Sequence, residues 1–323
     1  MEPKVITKET KPEDFIVDEI IDLDNKPGNY LYVKLVKKNL NTLDIINELS
    51  TALKIPRSYI GFAGNKDKHA VTTQYISLYN VKKESLKNFK ILNAHLIPLH
   101  YGSRPIVLGS LIGNHFKVKV DFKIKRRIRF DYLVNYFGEQ RFSSNNKDVG
   151  KALLVRDFRK ACRLINNDKI NNYLKNNPND YIGALKTLDK YLLSLYVNAF
   201  QAYLWNEVAK SIIIKTHKKY IIYENLLFVE RPKSNFIIPL ISYDTKFKNN
   251  FIKDFYIELL KKENISLVNY FIREFPNITF KTSSRPLFVK VKSLKVYKDH
   301  IEFDLPKGSF ATVFIKNLKA LNK

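Results

Sequence analysis

Residues 61–77 have the sequence GFAGNKDKHAVTTQYIS, an order that differs from that of an ordinary packed segment. Gly61 and Gly64 permit a tight backbone path. Four ionisable residues, Lys-Asp-Lys-His, then occupy positions 66–69, and small or hydroxylated residues lead into a strand-like pattern at 75–77. The stretch therefore predicts a charged turn followed by a strand.

Asp67 is the residue of this turn with catalytic potential. It lies between Lys66 and Lys68, whose charges favour the ionised carboxylate as long as burial does not desolvate it. An ionised carboxylate can act as a nucleophile or as a general base. The alternative is a structural turn in which Asp67 caps a short helix and the lysines are solvated, and such turns are common.

The segments on either side of the turn have the periodicity of regular structure. Residues 29–37 alternate apolar and polar side chains, which predicts a half-buried strand. Residues 41–54 place apolar side chains at helical spacing, and Asn41 or Thr42 can serve as the N-cap. A strand followed by a helix is therefore expected immediately before the charged turn.

Residues 116–124 have the clearest strand pattern of the chain. Apolar side chains alternate with polar ones there, so one face is expected to pack on a core and the other to carry lysines. A run of basic residues follows at 125–129, and a solvated strand end is the alternative explanation for it. We predict that this region contacts a nucleic-acid backbone through Lys117, Lys119, Lys123, Arg126 and Arg127.

The middle of the chain changes to helical periodicity. From about residue 148 the pattern is helical, and residues 186–214 form one long amphipathic stretch. After residue 285 the strand pattern returns, at 287–291, at 301–305 and at Val313 and Ile315. These segments predict one α+β domain, closed by C-terminal strands, that carries an inserted domain.

The net charge indicates the kind of partner. Fifty-six Lys and Arg residues against 31 Asp and Glu residues give a formal charge of +25. Such an excess is the electrostatic signature of a polyanion binder, because each neutralised phosphate releases counterions. The alternative is a composition biased toward lysine, and charge does not distinguish RNA from DNA.

Composition also excludes several classes of protein. Hydrophobic residues make up 45% of the chain, which is enough for a real core. No apolar stretch approaches 18 residues and the N-terminus lacks a hydrophobic signal core, so we expect a soluble, cytoplasmic protein. Cys162 is the one cysteine and the six histidines have no ligand spacing, so no metal site is expected.

A set of short motifs resembles the TruD family of pseudouridine synthases. The string GNKDKHAVTTQ (64–74) is similar to the family's signature, and five further strings occur in the family's order. Together they span residues 11 to 315, and this ordered set is far more specific than any one motif. The five are KPEDFIVDEI (11–20), LGSLIGNHFKVKV (108–120), NYFGEQRF (135–142), NAFQAYLWN (198–206) and LPKGSFATVFI (305–315).

The resemblance implies a fold and a division into domains. The expected fold is α+β, with a pseudouridine synthase-type mixed, mainly antiparallel sheet, flanking helices and an inserted, mainly helical TRUD-type domain. The catalytic domain would comprise residues 1–147 and 284–323, and the inserted domain residues 148–283. Residues 210–282 match the family poorly.

The resemblance also implies roles for individual residues. Asp67 occupies the position of the family's catalytic aspartate, and aromatic and polar residues at matching positions line the uridine site. Lys66 and Arg141 are an extrapolation to cations near the carboxylate or a phosphate. The residues expected to bind substrate are thus Phe15, Asn135, Phe137, Phe310, Lys66 and Arg141.

Each of these roles has a structural alternative. Phe15 and Phe310 fit core phenylalanines equally well, and Asn135 fits a cap. Arg141 could pair with Glu139 on the surface.

The chain also departs from the family pattern at three positions. His69 and His115 stand where arginine is usual, and Ser143 replaces a usual glycine. These departures concern local RNA contacts, because the neutral imidazole lacks arginine's bidentate grip on phosphate.

The implied activity is the isomerisation of a tRNA uridine, at position 13, to pseudouridine. The reaction detaches uracil from C1′, turns it and reattaches it through C5, and it needs no cofactor, metal or ATP. The expected partner is tRNA, without a membrane or an obligate protein partner, and a monomer suffices. The alternative is a non-catalytic RNA-binding or RNA-folding protein built on the same scaffold.

Overall fold

The computed structural model describes residues 11–87, 89–124, 131–143, 145–232, 234–276, 278 and 282–322. They form two compact units. The first unit contains the described residues up to Asp131 together with Lys290–Ala311 and Asn322. The second contains Tyr132–Val289 and Thr312–Leu321.

The first unit is built on one sheet. The elements of this unit are β1 (Phe15–Ile20), β2 (Tyr30–Lys38), α1 (Thr42–Leu53), β3 (Ile60–Phe62), β4 (Val71–Tyr79), β5 (Ala94–Gly102), β6 (Gly113–Lys119), β13 (Lys292–Val296) and β14 (His300–Pro306). The strands pair in the order β13-β14-β6-β1-β4-β2-β5, and β3 also pairs with β4. Only β1 and β4 are parallel among these pairs of described strands.

Helix α1 packs on one face of this sheet. Leu31, Val33 and Leu35 of β2 are fully buried and belong to the same apolar cluster as Ile46 and Leu49 of α1. Burial of apolar side chains at this density is the main favourable contribution to folding. The predicted strand at 29–37 and helix at 41–54 are confirmed. The mixed, mainly antiparallel sheet of the expected α+β fold is confirmed as well.

The strand predicted at 116–124 is displaced in the structure. Strand β6 begins at Gly113 and ends at Lys119. Its neighbours set this limit, because β1 reaches only as far as Val118 and β14 only as far as Lys119. Beyond Lys119 the N–H of Val120 still donates to the carbonyl of Asp299, but the paired strands have ended there, so apolar alternation alone overestimated the strand.

The second unit is mainly helical. Its elements are β7 (Tyr132–Val134), α2 (Glu139–Phe142), α3 (Asn146–Leu154), α4 (Phe158–Ile165), α5 (Asp168–Asn176), α6 (Tyr181–Lys186), α7 (Lys190–Thr216), β8 (Ile221–Tyr223), β9 (Leu226–Phe228), β10 (Ile237–Leu240), α8 (Asn250–Lys262), β11 (Ser283–Pro286), β12 (Phe288–Lys290) and α9 (Ala311–Asn322). Among the described residues, short 3-10 helices also occur at Pro12–Asp14, Arg57–Tyr59, Lys83–Leu86 and Leu267–Tyr270.

Helix α7 is the centre of the second unit. It runs without interruption for 27 residues and covers all but the first four residues of the stretch predicted at 186–214, because Lys186 ends α6 and α7 begins at Lys190. Phe200, Leu204 and Trp205 are fully buried, so α7 is enclosed on several sides, more than the predicted amphipathic pattern implies. Across the described part of the chain, no helix is both long and apolar enough to span a membrane.

The C-terminal strand predicted around Val313 and Ile315 is wrong. Both residues lie in helix α9, and Phe314 between them is also buried. An apolar run of this kind fits either a strand or an enclosed helix, so periodicity could not decide between them. Lys316 of the same helix is buried and forms ion pairs with Glu139 and Glu224.

Candidate active site

The loop that carries Asp67 leaves the sheet between two strands that share one edge of β4. Strand β3 pairs with Ile76–Leu78, whereas β1 pairs in parallel with Val71–Thr73. Residues 63–70 connect β3 to β4, so the chain must leave the edge where β1 takes over the pairing. This displacement exposes Asp67 to solvent.

Lys37 holds the Asp67 loop from beneath. Its ammonium donates 2.8 Å hydrogen bonds to the backbone carbonyls of Asp67 and Leu40. Lys37 follows Leu31, Val33 and Leu35 on the same face of β2 and is only 1% exposed, so a lysine occupies a core position. Burial lowers the pKa of Lys37 to about 8, while the nearby Asp67 charge opposes that shift.

Lys66 anchors the same loop at a second point. Its side chain is 8% exposed, and its Nζ lies 2.6 Å from Asn114 Oδ1 and 3.1 Å from Glu19 Oε1. The backbone N–H of Lys66 donates to Thr42 Oγ1 at the start of α1. Lys66 therefore lies near the predicted catalytic carboxylate, with its own charge directed into the protein.

A layer of buried polar side chains lies on β4 beside these lysines. Thr42 Oγ1 donates to Gln74 Oε1 at 2.8 Å, and Glu19 Oε2 accepts the backbone N–H of Tyr75. Thr72 Oγ1 and Gln74 Nε2 are buried without a hydrogen-bond partner among the described residues. The core becomes polar directly under the exposed carboxylate, an arrangement that costs stability and is typical of functional sites.

Phe15 lies inside an aromatic cluster of the first unit. Its ring is 6.1 Å from that of Phe116, which stacks on Phe303 at 5.4 Å. Phe15 is 6% exposed. Its ring therefore supports the sheet beside the start of β4, and the small exposed part is what a base could contact.

Phe310 follows a tight turn after β14. The backbone N–H of Ser309 donates to the carbonyl of Pro306, and Gly308 has a φ of 80°. A type II turn needs a positive φ at its third residue, which explains a glycine there. Phe310 is half-buried just beyond this turn.

Asn135 and Arg285 form the polar centre of the second unit. The guanidinium donates from Nε to the Asn135 carbonyl and from Nη2 to Asn135 Oδ1, both at 2.7 Å. Asn135 Nδ2 donates in turn to the carbonyl of Pro286. Asn135 is 3% exposed, and its side chain thus joins β11 to the segment before α2.

Phe137 is enclosed by cations and by an aromatic ring. Arg285 lies 4.3 Å from its ring centroid and Arg141 lies 5.8 Å from it, while Trp205 packs edge-on at 5.7 Å. Asn206 clamps the Phe137 backbone with one hydrogen bond to its N–H and one to its carbonyl. Burial and the nearby Arg141 lower the pKa of Arg285 to about 9, which leaves it cationic at neutral pH.

The predicted site residues thus form two groups. Asp67, Lys66, Phe15 and Phe310 belong to the first unit, and Asn135, Phe137 and Arg141 belong to the second. Each group combines aromatic rings with cations, and the first also contains an exposed carboxylate. Such a combination can stack a base, attract phosphate and deliver a carboxylate to a sugar carbon.

Comparison with known proteins identifies the family. The family model described as tRNA pseudouridine synthase D (TruD) matches residues 7–172 and 164–318. The chain belongs to the TruD family. The family's enzymes are isomerases. Two similar proteins from Methanocaldococcus jannaschii carry the family's name.

Similarity to these TruD relatives extends over nearly the whole chain. "Probable tRNA pseudouridine synthase D 2" of M. jannaschii is 31% identical, over 95% of this chain and 90% of its own length. "Probable tRNA pseudouridine synthase D 1" of the same organism is 27% identical, over 94% of this chain and 93% of its own. The crystal structure of a Methanosarcina mazei TruD protein has the same fold, with a TM-score of 0.67 and 23% identity over 95% of this chain and 92% of that one.

Two departures from the usual TruD pattern have structural consequences. His115, where arginine is usual, pairs with Asp304 of β14 at 2.6 Å. Ser143, where glycine is usual, has a φ of 42° and a ψ of −149°, a backbone conformation that residues other than glycine rarely adopt. His69 is exposed.

The lysine face of β6 is partly neutralised. Lys119 Nζ lies 3.5 Å from Asp14 Oδ1, and Lys117 is directly opposite Glu302 in the ladder with β14. Lys123 is exposed. Arg126 and Arg127, the other two residues of this predicted RNA-backbone contact, lie outside the described residues.

Sequence analysis missed Lys37, Arg285 and Asn206. For Lys37 a signal existed, since it continues the alternation of Leu31, Val33 and Leu35. Nothing in the sequence around Arg285 distinguishes it from a surface arginine. Asn206 lies within the NAFQAYLWN string, but its contact with Phe137 joins residues far apart in the chain.

Proposed function

We propose that this TruD chain converts the uridine at position 13 of tRNA to pseudouridine, with Asp67 as the catalytic carboxylate. One observation carries the proposal: Asp67 is exposed on a loop whose backbone is hydrogen-bonded to the buried ammonium of Lys37. Rigid support of an exposed carboxylate is what reaction at a defined sugar carbon requires.

The reaction breaks the bond between uracil N1 and C1′ and forms a bond between C5 and C1′; C5 loses a proton and N1 gains one, so the product is an isomer of the substrate. Asp67 acts on the ribose, either by adding to C1′ as a nucleophile or by removing a proton so that a glycal forms. Lys37 fixes the backbone of the loop from which the carboxylate projects.

Base recognition follows from the aromatic residues. A uridine must be extracted from the tRNA fold at a cost of a few kcal/mol, and aromatic stacking returns about 1–3 kcal/mol per base. Phe15, Phe137 and Phe310 serve that purpose in this proposal. Asn135 contacts the base in this proposal with an amide whose orientation is fixed by Arg285 and the Pro286 carbonyl. Arg141 contacts a phosphate. Lys66, because its ammonium is held by Asn114 and Glu19, orients the Asp67 loop.

The proposal includes a division of labour within the chain. Residues 1–147 and 284–323 form the catalytic domain, and residues 148–283 form the inserted domain. Lys117, Lys119, Lys123, Arg126 and Arg127 bind the tRNA backbone. The enzyme works as a cytoplasmic monomer without a cofactor or an obligate protein partner.

The test is incubation of the protein with unmodified tRNA transcripts, followed by mapping of pseudouridine at nucleotide resolution. The native chain should modify position 13. Asp67→Asn should bind tRNA nearly as well and form no product, because the amide cannot act as nucleophile or base. Glu48→Gln, an exposed carboxylate of α1 converted in the same way, should remain active.

Two results would contradict the assignment. Turnover by Asp67→Asn would remove Asp67 from the chemistry. Tight tRNA binding by the native chain without any pseudouridine would favour an RNA-binding or RNA-folding protein on the same scaffold.

A further inference from the structure

Helix α4 of the second unit carries a group of cations outside the predicted site. Residues 156–163, RDFRKACR, contain four basic residues and one acidic residue. Ala161 and Cys162 turn into the core, whereas Arg159, Lys160 and Arg163 are exposed. The helix is therefore strongly divided into an apolar face and a basic face.

The three cations border a concave surface. The cavity they line has a volume of about 740 Å³. Its other walls come from Asn166 at the C-cap of α4, from Asn171 of α5 and from Tyr181 at the start of α6. The apolar side chains of Cys162, Ile170 and Leu174 and the carboxylate of Asp157 complete the lining. Three cations, two amide groups and one aromatic ring against one carboxylate give the cavity the composition of a site for a polyanionic strand.

The carboxylates near the groove have hydrogen-bond partners of their own. Asp157, which also lines the cavity, accepts the backbone N–H of Lys160 through Oδ1 as the N-cap of α4. Asp180 accepts the Gly183 N–H and the Tyr173 hydroxyl. Within the described ranges, none of the side chains of Arg159, Lys160 and Arg163 forms an ion pair with a carboxylate. Three neighbouring exposed cations without a carboxylate partner repel one another, and a bound anion would relieve that repulsion.

We propose that this α4 groove, formed by Arg159, Lys160 and Arg163 with Asn166, Asn171 and Tyr181, binds the phosphate backbone of the RNA substrate. Arg159 and Arg163 lie one helical turn apart, with Cβ atoms about 5–6 Å from each other, so they can hold phosphates of one strand. Guanidinium groups bind phosphate in a bidentate manner, which suits them to this role.

The site extends RNA binding to a part of the chain that the sequence motifs do not cover. It rests on the proposed function only for the identity of the RNA, since the contacts involve phosphate and not bases. Phosphate contacts position the RNA and carry no sequence information of their own.

The experiment compares two triple variants of the full chain. The groove variant is Arg159→Gln, Lys160→Gln, Arg163→Gln. The control variant is Lys253→Gln, Lys261→Gln, Lys262→Gln, which removes three exposed charges from α8 of the same unit. Affinity for a tRNA transcript is measured directly, without turnover, over a series of salt concentrations.

The groove variant should bind tRNA more weakly, and the slope of log affinity against log salt should shrink by about 1 for each residue that contacts a phosphate. The control variant should change the slope much less. Under saturating tRNA, kcat should remain near the native value while KM rises. Single variants Arg159→Gln and Arg163→Gln should each give about a third of the effect, which keeps the test valid if the triple variant folds poorly.

Equal losses in the two triple variants would show that only net charge matters and would overturn the proposal. Unchanged binding by the groove variant would overturn it as well, and would be the result expected if the groove served an acidic protein. If the native chain formed no pseudouridine but the groove variant still bound RNA more weakly than the control, the proposed function would fail while the groove proposal stood.

Discussion

The ammonium of Lys37 and the backbone carbonyl of Asp67 are joined by a 2.8 Å hydrogen bond between a core position and an exposed loop. The same ammonium also donates to Leu40, so one buried charge fixes two segments that flank α1. A charge at 1% exposure is unfavourable unless its hydrogen bonds compensate. The loop that carries the proposed catalytic residue thus depends on an energetically costly support.

Removing the Lys37 ammonium should impair catalysis more than binding. In Lys37→Met the side chain keeps its approximate length, but the Asp67 carbonyl loses its donor and the carboxylate shifts. We expect kcat to fall roughly 10- to 100-fold, because small misplacements of a catalytic group are expensive. Lys34→Met, on the opposite face of β2, is the control and should retain activity. Equal kcat values for the two variants would contradict the supporting role.

The lowered pKa of Lys37 predicts a specific pH dependence of stability. The folded-state pKa of about 8 lies below the ordinary value of 10.5, so the unfolded chain binds more protons between these values. The free energy of unfolding should therefore rise with pH in that window, by up to about 1.4 kcal/mol per pH unit from this group.

Denaturation of the native chain and of Lys37→Met at pH 7, 8, 9 and 10 isolates this contribution. The stability difference should stay constant below pH 8 and shift in favour of the native chain above it. A stability difference that is the same at all four pH values would show that burial does not lower the pKa of Lys37.

Replacement of Arg285 by lysine should destabilise the protein. Arg285→Lys loses the paired hydrogen bonds to Asn135 and the planar contact with Phe137, and leaves buried acceptors without donors. We expect a loss of roughly 2–3 kcal/mol in the free energy of unfolding. Chemical denaturation measures it, with the exposed Arg273→Lys as a control that should change little. Similar midpoints for both variants would contradict this account.

Ser143 should be a site where glycine stabilises the protein. Its φ of 42° with a ψ of −149° is strained for any residue with a Cβ atom. Ser143→Gly should raise the free energy of unfolding by about 1 kcal/mol, as relief of strain exceeds the added entropy of the unfolded chain. Ser143→Ala keeps the Cβ atom and should bring no gain in thermal unfolding measurements. A gain from alanine equal to that from glycine would refute the strain argument.

Apolar spacing in the sequence predicted an element correctly where the surrounding elements bury it in the way that its spacing implies. Strand β2 and helix α1 follow directly from apolar spacing, because both bury a single face against the same core. The prediction from apolar spacing failed where neighbouring elements determine the end or the type of an element. Strand β6 ends where its partners end, and Val313 and Ile315 belong to a helix because α9 is enclosed on several sides.

The candidate site shows the same division. The ordered motifs singled out Asp67, Asn135 and Phe137 as predicted site residues from the sequence alone. They did not reveal that Lys66 turns inward or that Arg285 lies over the ring of Phe137, since these contacts join residues that are distant in the chain.

The amino-acid order by itself determined the family, the strand–helix succession around residue 67 and a strongly basic character, because motifs and periodicity are local properties. Only the tertiary structure decided which charges are buried and what they hold. Lys37, Lys66 and Arg285 are ordinary basic residues in the sequence, and folding gives each a distinct role. Burial removes solvent from a charge, so its effect depends on neighbours that the chain brings together only when it folds.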